Sequence, residues 1–411
     1  MASGVLEVEA RSGERGRVAT GGAAMKTVAM LYSGGRQWGG IETYLLHLFR
    51  LNDGQRVRLV LLSMGDWDLT RAVAALAEQA ASEPSGLGAA PIACRVLSSR
   101  RVRLRTIGDI REALGAEGAK LLVSQGVVAN AYARLAARAA RVPHLVVVHS
   151  DLANDYPRLL PRLLYRWVDR LLRPLTDRYI TVAAFLKERL VAAGIDPDRV
   201  RVIYNGVAVG GLPGHEDFPR QTTTKVAPAD LRTQGGRPTL VSIGRLHPVK
   251  NFDSLVRAMK WLPEEVVLEI WGSGPEEDRL RALIDTLGFG GRVKLCGEAP
   301  GVEPVLARAD VYVQPSRSEG CSFAVMEAML AGKPVVVAPC GGMPEQVKDG
   351  LTGVVASGTG PEELAAAIRR VLDDQSLAGR VAQAAQETAR LDFSLERWLE
   401  ETVSAFLEAA R

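Results

Sequence analysis

The 411-residue chain has little cysteine, no long apolar run and almost no net charge. Its four cysteines are scattered without a Cys-x-x-Cys pair or nearby histidines, so nothing indicates a disulfide framework or a zinc site, and a reducing cytoplasm fits best. No apolar run reaches the roughly 20 residues that span a bilayer, which predicts a soluble or peripheral protein. The formal charge of +4 is not gathered into one basic block, and we predict no nucleic-acid partner.

From Lys26 onward, short β-branched runs alternate with helical patterns, which predicts parallel sheets with helices on both faces. The scheme occurs twice, so the expected fold class is α/β with two doubly wound, Rossmann-like domains. The strands predicted for the first domain are Thr27 to Leu31, Val57 to Leu62, Lys120 to Ser124, Leu145 to His149, Tyr179 to Val182 and Val200 to Tyr204. Those predicted for the second are Thr239 to Ile243, Val266 to Trp271, Val293 to Cys296, Val311 to Gln314 and Val335 to Ala338.

The domain limits follow from changes in composition. Residues 1–24 predict a disordered extension, with Met25 as an alternative start, and residues 25–210 form the first domain. Residues 211–236 are rich in turn-forming and polar residues with little periodicity, which predicts a linker. The second domain is expected at 237–390, and an amphipathic helix within 391–411 is expected to pack back towards the first.

The segment Glu319 to Glu327 places one carboxylate in a glycine-containing loop and a second within an apolar helix. It follows the strand Val311 to Gln314, and loops at the carboxyl ends of parallel strands bind ligands in open α/β folds. A bare anion at Glu327 is costly unless a polar group meets it. A sugar hydroxyl is a suitable partner for such a carboxylate.

Arg245 and Lys250 follow the strand Thr239 to Ile243, close to the start of a predicted helix from Phe252 to Lys260. Two cations at a helix N-terminus predict a phosphate site through charge and exposed backbone amides. Arginine can bind a diphosphate bidentately and lysine acts as a point charge. The alternative is an ordinary solvated loop with two basic residues.

Two features of the first domain also lie at strand ends. Gly39 and Gly40 close a loop after the first strand, where backbone can approach an anion or an acceptor, and the alternative is a tight turn. His149 ends the strand that begins at Leu145, and its imidazole can bond a hydroxyl or a phosphate. The alternative for His149 is a structural cap of the sheet.

Two other motif matches are weak. Gly272-Ser273-Gly274-Pro275 resembles part of a dinucleotide fingerprint, but the proline interrupts it and no third glycine follows at the required spacing. Asp196-Pro197-Asp198 is an Asp-x-Asp match, yet it lies at the wrong end of its strand for ligands. We therefore predict no metal and no dinucleotide cofactor.

The segment from Tyr156 to Leu175 carries arginines at steps of three or four, opposite leucines and a tryptophan. This pattern predicts a basic amphipathic helix. One interpretation is a helix packed on its own domain with a solvated arginine face. The other is docking on anionic lipid, which predicts peripheral contact with the inner membrane face.

Several motifs of the second half together resemble the retaining GT-B glycosyltransferases of family 4. They are Gly244-Arg245-Leu246 with Lys250-Asn251, Gly272-Ser273-Gly274-Pro275, Pro315-Ser316, the Glu319 and Glu327 pair, and Gly332-Lys333-Pro334. The first half matches more loosely, at Gly39-Gly40-Ile41-Glu42, His149 and Asn205-Gly206. The resemblance implies the GT-B fold, two Rossmann-like domains facing a central cleft, and transfer from a nucleotide-diphosphate sugar with retention and without a cofactor.

The resemblance also implies roles for individual residues. Arg245 and Lys250 neutralise the diphosphate, Glu319 orients the transferred sugar, and Glu327 accepts from the ribose. His149 reaches the sugar from the other domain. The implied catalytic residues are His149, Glu319, Arg245 and Lys250. The implied donor-binding residues are Gly39, Gly40, Arg245, Lys250, Glu319, Cys321, Ser322, Phe323 and Glu327. Ser322 stands where the family often has glycine, which puts the path of that loop in question.

Three other functions remain alternatives at this stage. A sugar-nucleotide epimerase shares the fold but needs acid and base groups at the sugar, for which His149 is the prominent candidate. An oxidoreductase conflicts with the interrupted glycine fingerprint. A silent binding module is expected to lose some of the four charged residues, which are all present. For a transferase, the acceptor is a lipid-linked hydroxyl in bacterial polysaccharide or glycolipid assembly, or else a soluble metabolite.

Overall fold

A computed structural model of the chain describes residues 25–34, 39–52, 54–82, 92–97, 105–151, 159–208, 236–299 and 301–411. Two β-sheets organise these residues, one of seven strands and one of six, and all recorded strand pairs are parallel. The predicted extension at 1–24 and all but the last residue of the predicted linker at 211–236 lie outside the described residues.

The first sheet contains β1 (Lys26–Tyr32), β2 (Val57–Ser63), β3 (Ile92–Val96), β4 (Leu121–Gln125), β5 (His144–Val148), β6 (Arg178–Thr181) and β7 (Val200–Val202). Its strand order is β3-β2-β1-β4-β5-β6-β7, which places β1 and β4 side by side at the centre. The helices described in this half are α1 (Gly40–Leu51), α2 (Asp68–Ser82), α3 (Arg105–Ala116), α4 (Val127–Ala140), α5 (Leu159–Leu172) and α6 (Ala184–Ala192).

The second sheet contains β8 (Thr239–Ile243), β9 (Val267–Trp271), β10 (Val293–Leu295), β11 (Val311–Gln314), β12 (Val335–Val337) and β13 (Val354–Val355). Its order is β10-β9-β8-β11-β12-β13, so β8 and β11 are neighbours at the point where the order reverses. Its helices are α7 (Phe252–Ala258), α8 (Glu277–Thr286), α9 (Val302–Ala307), α10 (Phe323–Leu330), α11 (Met343–Gln346), α12 (Pro361–Asp373), α13 (Gln375–Asp392) and α14 (Leu395–Ala409).

The central strands are buried along most of their length. The last five residues of β1 are buried, and so are all four residues of β11. Parallel strands covered by helices on both faces read as continuous apolar runs, because neither face meets water. Polar chemistry is therefore left to the loops beyond the carboxyl ends of these strands.

The last helix, α14, packs on the first half of the molecule. Trp398 is 1% exposed, and its ring lies edge-on to that of Tyr44 in α1 with centroids 4.9 Å apart. Gly206 makes this contact close, since a Cβ there would lie 2.6 Å from the Ser394 carbonyl oxygen. At the other end of the helix, Lys26 Nζ donates to the Ala410 carbonyl at 3.3 Å. The C-terminal residues thus tie the two halves together.

The predicted α/β fold class is confirmed. Two strands were missed for physical reasons, since β3 is a partly exposed edge strand with an arginine and β13 has only two residues. The predicted helix from Phe252 to Lys260 is shorter as an α-helix and continues as the 3₁₀ turn Met259–Trp261. The residue limits of the domains stay predictions.

Candidate active site

Lys250 and Glu319 lie in the loops after β8 and β11, the two neighbouring strands at the centre of the second sheet. Lys250 Nζ donates to Glu319 Oε1, and the two side chains are 20% and 13% exposed. Asn251 fixes the lysine loop by adopting a left-handed backbone, φ 60°, and donating to the Pro315 and Thr359 carbonyls. The structure therefore brings together the cation and the carboxylate that were predicted to bind different parts of a donor.

The Glu319 carboxylate has further hydrogen-bond donors. Ser316 Oγ and Gln314 Nε2 both donate to its Oε1 atom, at 2.8 and 3.3 Å. Tyr312 donates its hydroxyl to Gln314 Oε1 at 2.5 Å and so fixes the amide. Burial raises the pKa of Tyr312 well above its ordinary value, and the Glu327 and Glu319 carboxylates raise it further. Both predicted carboxylates therefore lie within electrostatic reach of this hydroxyl, which stays protonated.

Arg245 lies on the same loop as Lys250 and is exposed, and no carboxylate is recorded in an ion pair with it among the residues that the structure describes. His247 lies between the two cations. Burial lowers the pKa of His247, Arg245 and Lys250 lower it further, and Glu276 acts in the opposite direction. Burial is the main cause of this lowered pKa, and the part that comes from Arg245 and Lys250 reflects the positive charge of the loop, which can attract a phosphate.

The glycines of Gly272-Ser273-Gly274-Pro275 support this loop. Gly272 has φ +142°, and a Cβ there would lie 2.0 Å from the Gly244 carbonyl oxygen. A Cβ at Gly274 would lie 2.4 Å from the Leu246 carbonyl oxygen. The two glycines therefore allow close packing against the segment that carries Arg245. This packing accounts for the glycines, so a dinucleotide-binding role is not needed to explain them.

His149 follows β5 and reaches the second half of the molecule through its backbone. A Cβ at Gly320 would lie 2.0 Å from the His149 carbonyl oxygen, so the glycine allows the Glu319 loop to approach it. The imidazole Nε2 lies 2.5 Å from Gln125 Oε1, and the ring contacts Tyr44 edge-on with centroids 4.9 Å apart. Burial lowers the pKa of His149 to about 3. The imidazole is therefore neutral at physiological pH.

This neutrality predicts a pH profile. Between about pH 5 and pH 8, we expect no ionisation of His149 to appear in the pH dependence of kcat/KM. An ordinary imidazole would ionise near pH 6.5, roughly in the middle of this range. The measurement is kcat/KM against pH for the wild type and for His149→Asn, which should differ in height and agree in shape. A wild-type ionisation near pH 6.5 that disappears in the variant would contradict it.

Because the pKa of His149 is lowered in the folded state, His149 should also make the fold less stable as the pH falls from about 6.5 towards 3.

Gly39 and Gly40 begin α1 and face the second half of the molecule. A Cβ at Gly40 would lie 3.9 Å from the Phe323 ring, and His47 on the same helix lies edge-on to that ring at 5.9 Å. The Tyr32 hydroxyl donates to Glu42 at 2.7 Å and holds the helix start beside the end of β1. Residues 35–38 of the preceding loop lie outside the described residues.

Cys321, Ser322 and Phe323 lie at the start of α10, as predicted. The Ser322 amide donates to Gln346 Oε1 at 2.8 Å, and Gln346 Nε2 donates back to the Ser322 carbonyl at 3.1 Å. The Cys321 carbonyl accepts from Asn205 Nδ2 at 3.1 Å, across the two halves. A donor that uses the Ser322 amide must therefore displace Gln346, and the donor-binding role of these three residues stays a prediction.

Glu345 was missed by the sequence reasoning. Its carboxylate accepts from the backbone amides of Ala184 and Phe185, at 2.6 and 2.8 Å, and from the Tyr204 hydroxyl at 2.9 Å. The first two donors are at the start of α6, so a carboxylate of the second half caps a helix of the first. The available signal was Gly341-Gly342 in the loop that follows the carboxyl end of β12.

Those two glycines permit a close approach of backbones. Gly341 has φ +55°, and a Cβ there would lie 2.0 Å from the Glu319 carbonyl oxygen. A Cβ at Gly342 would lie 1.9 Å from the Gly320 carbonyl oxygen. The loop that carries Glu345 is therefore packed directly on the loop that carries Glu319.

The described ranges contain neither a cluster of metal ligands nor a membrane-spanning helix. Within them, no three side chains of His, Cys, Asp or Glu gather closely enough to hold a metal ion. No helix in these ranges combines the length and the apolar character needed to cross a bilayer.

Two family models match most of the chain between them. Residues 38–210 match the model described as Glycosyltransferase Family 4, and residues 224–388 match the model described as Glycosyl transferases group 1. A lipopolysaccharide core biosynthesis glycosyltransferase, LpsE of Rhizobium meliloti, is 34% identical over 168 residues, covering 41% of this chain and 49% of that protein. A GDP-mannose-dependent alpha-(1-6)-phosphatidylinositol monomannoside mannosyltransferase of Mycolicibacterium smegmatis is 33% identical over 206 residues, covering 46% and 53%. The chain thus matches about half the length of these relatives.

Solved structures share the fold across nearly the whole chain. Anabaena HepE in complex with UDP-glucose superposes with a TM-score of 0.74 at 22% identity, covering 93% of this chain and 99% of that one. Sucrose-phosphate synthase from Thermosynechococcus elongatus gives a TM-score of 0.71 at 18% identity, covering 93% and 98%. At these identities the likeness establishes the arrangement of two sheets and their helices.

Proposed function

The chain belongs to the group 1, family 4 glycosyltransferases of the GT-B fold, and from that membership we propose that it transfers a sugar from a nucleoside-diphosphate donor to a hydroxyl acceptor with retention of configuration. The observation that carries the proposal is the Lys250 and Glu319 pair at the ends of two central strands, with His149 approaching from the other sheet. This is the carboxyl edge at which open α/β sheets bind ligands.

The pair suggests how the donor enters. A diphosphate offers Lys250 a doubly charged partner in place of Glu319, and the released carboxylate is then available to sugar hydroxyls. Glu319 keeps its orientation during the exchange because Ser316 and Gln314 still donate to it. The ion pair therefore holds the two residues in place before the donor arrives.

Glycosyl transfer passes through an oxocarbenium-like state in which negative charge gathers on the leaving diphosphate. Arg245 and Lys250 stabilise that charge where it develops. The departing phosphate takes the acceptor's proton, and the acceptor attacks from the leaving-group face. Burial raises the pKa values of the Cys321 and Cys340 thiols to about 12, so neither is a thiolate that could serve as a nucleophile.

The neutral His149 favours a transferase over a sugar-nucleotide epimerase on the same fold. Epimerisation requires groups that exchange protons with the sugar near neutral pH, and an imidazole with a pKa of about 3 is poorly suited to that. A neutral imidazole can still bond a sugar hydroxyl. Incubation with a sugar nucleotide and no acceptor separates the two: an isomerised sugar nucleotide as product would favour the epimerase.

We infer a lipid-linked acceptor at the cytoplasmic face of the membrane, as in the assembly of a bacterial polysaccharide or glycolipid. The names of the LpsE and mannosyltransferase relatives, which refer to lipopolysaccharide and to a phosphatidylinositol mannoside, support this choice over a soluble metabolite. The reaction needs no cofactor and no metal ion in this scheme, because side-chain cations stabilise the leaving group.

The direct test is nucleotide binding followed by transfer. Thermal shift with UDP, GDP and ADP identifies the base, and sugar nucleotides of the best base are then screened with lipid-linked and soluble acceptors. A retained anomeric configuration in the product supports the mechanism. A crystal soaked with the best nucleotide in which the Lys250 and Glu319 site stays empty would overturn the site.

Replacing Glu327 by alanine should weaken nucleotide binding. Loss of one hydrogen bond to a charged acceptor costs about 1.5 to 3 kcal/mol, so calorimetry should show roughly a tenfold to hundredfold rise in the nucleoside-diphosphate Kd. The matched control is Asp278→Ala, which removes an exposed carboxylate on α8. An unchanged Kd for Glu327→Ala would contradict the ribose role.

A further inference from the structure

The outer face of α5 exposes three large apolar side chains in a row. Leu163, Trp167 and Leu171 are 57%, 74% and 66% exposed, and they follow one another at steps of four residues. Four-residue steps place side chains in one stripe along a helix. The stripe runs over about 12 Å of helix. We call these three residues the α5 stripe.

The opposite side of the helix is held by ions. Asp169 is 9% exposed and lies two positions from Trp167, about 200° around the helix. Its carboxylate accepts from Arg134 at 2.9 Å and from Arg173 at 2.8 Å, and Arg134 also donates to the Thr176 hydroxyl at 2.8 Å. Among the described side chains of the helix, Asp169 therefore anchors it to the domain through ion pairs, and the α5 stripe faces out.

The exposure of the α5 stripe bears on the two interpretations of the sequence. A helix packed on its own domain through its leucines and tryptophan, with a solvated arginine face, predicts that these apolar side chains are buried. Leu163, Trp167 and Leu171 are exposed, so these three side chains do not make that packing. Contiguous exposed apolar surface on a folded protein indicates an interaction site.

Charge identifies the partner. Arg162, Arg166 and Arg170 each directly precede a residue of the stripe in sequence, and Asp169 is the one acidic residue of the helix. That carboxylate is already neutralised by two guanidinium groups. An exposed apolar stripe with a tryptophan, on a helix whose sequence has several arginines and one acidic residue, suits the boundary between acyl chains and anionic headgroups.

We propose that α5 lies in the surface of an anionic bilayer, with the α5 stripe inserted among the acyl chains. The helix follows β5, whose carboxyl end leads into His149, and Asp151 beside it is paired with Arg189 at 2.6 Å. Docking through α5 places the first domain, which also carries His149, at the membrane surface. As a route to a lipid-linked acceptor, this inference rests on the proposed function; the docking itself does not.

The test is co-sedimentation of the full chain with phosphatidylglycerol-containing vesicles and with pure phosphatidylcholine vesicles. We expect binding to the anionic vesicles and at least about a tenfold loss in Leu163→Ser, Trp167→Ser. The matched control is Leu351→Ser, Leu391→Ser, since these two leucines are also exposed, at 68% and 66%, on the other half of the molecule. The charge variant Arg162→Glu, Arg166→Glu should lose the preference for phosphatidylglycerol.

Other occupants of the stripe give different results. If a second copy covers it, ultracentrifugation shows a dimer that Trp167→Ser dissociates, and the proposal fails. If another segment of this chain covers the stripe, iodide does not quench the Trp167 fluorescence in the absence of vesicles, and the proposal also fails. The Trp167 fluorescence is the difference between the emission of the wild type and that of Trp167→Phe. Equal vesicle binding by all variants overturns it too. Nucleotide thermal shift, measured in parallel, tells a failure of the docking face from a failure of the donor site.

Discussion

Lys250→Ala is expected to lower kcat by about two to three orders of magnitude, which corresponds to roughly 3 to 4 kcal/mol in the activation barrier. The ammonium stabilises charge that develops on the leaving diphosphate, so its loss should affect the transition state more than the ground state. The measurement is kcat and KM for the best donor and acceptor pair. Near-normal turnover would refute the assignment of Lys250.

The structure separates this effect from a disturbance of the fold. When Lys250 is removed, Glu319 still accepts from Ser316 and Gln314, so the carboxylate keeps its position and the melting temperature should change little. Lys260→Ala is the matched control, because that ammonium lies 5.3 Å from the Trp261 ring centroid, away from the predicted donor site. Lys250→Arg should recover part of the rate, since it restores the charge in a different shape.

The strands at the centre of both sheets could be predicted because burial on both faces leaves a continuous β-branched run in the sequence. The prediction missed one edge strand of each sheet, the partly exposed β3 and the two-residue β13, and found the other two, β7 and β10. Local periodicity is weak in such strands, and their pairing with β2 and β12 decides their conformation. β3 and β13 are therefore set by tertiary contacts that a single sequence does not display.

The candidate site also has parts that could be predicted from the sequence and parts that could not. Lys250 and Glu319 each follow a predicted strand, and their convergence follows from the adjacency of β8 and β11, which chain order alone does not give. The pairing of the two side chains with each other was not predicted. Tyr312 was predicted only as a residue of a strand. The pattern of a buried strand does not show that the Tyr312 hydroxyl lies near two carboxylates.

Contacts between the two halves were the least predictable. Glu345 sits in a short helix, α11, and its neighbours do not show that its hydrogen-bond donors lie 141 to 161 residues earlier in the chain. The orientation of α5 is a second case. The helix and its amphipathic pattern could be predicted, but which face meets the domain depends on the buried Arg134 and Asp169 pair, and Arg134 belongs to another helix.

Glu345→Ala is expected to loosen the contact between the two sheets. The Ala184 and Phe185 amides lose their acceptor at the start of α6, and the Tyr204 hydroxyl loses its partner. Each hydrogen bond to a charged group contributes about 1.5 to 3 kcal/mol, and water replaces part of the loss in a partly exposed site. We expect a net cost on the order of 2 to 4 kcal/mol to the closed arrangement. X-ray scattering should then show a larger radius of gyration than in the wild type.

The same change should weaken catalysis through the population of closed molecules. In the closed arrangement, the two halves are in contact and His149 meets the Glu319 loop. If donor binding needs this contact, a smaller fraction of closed molecules raises the apparent KM for the donor in proportion. Burial and the bond to Glu345 both raise the pKa of Tyr204, so its hydroxyl stays protonated and Glu345→Gln should keep one acceptor for it. The glutamine variant should therefore lie between the wild type and Glu345→Ala. The control Asp373→Ala breaks an exposed ion pair with Arg369 and should change neither quantity. If Glu345→Ala has the same radius of gyration and the same donor KM as the wild type, the Glu345 contact is not needed for closure.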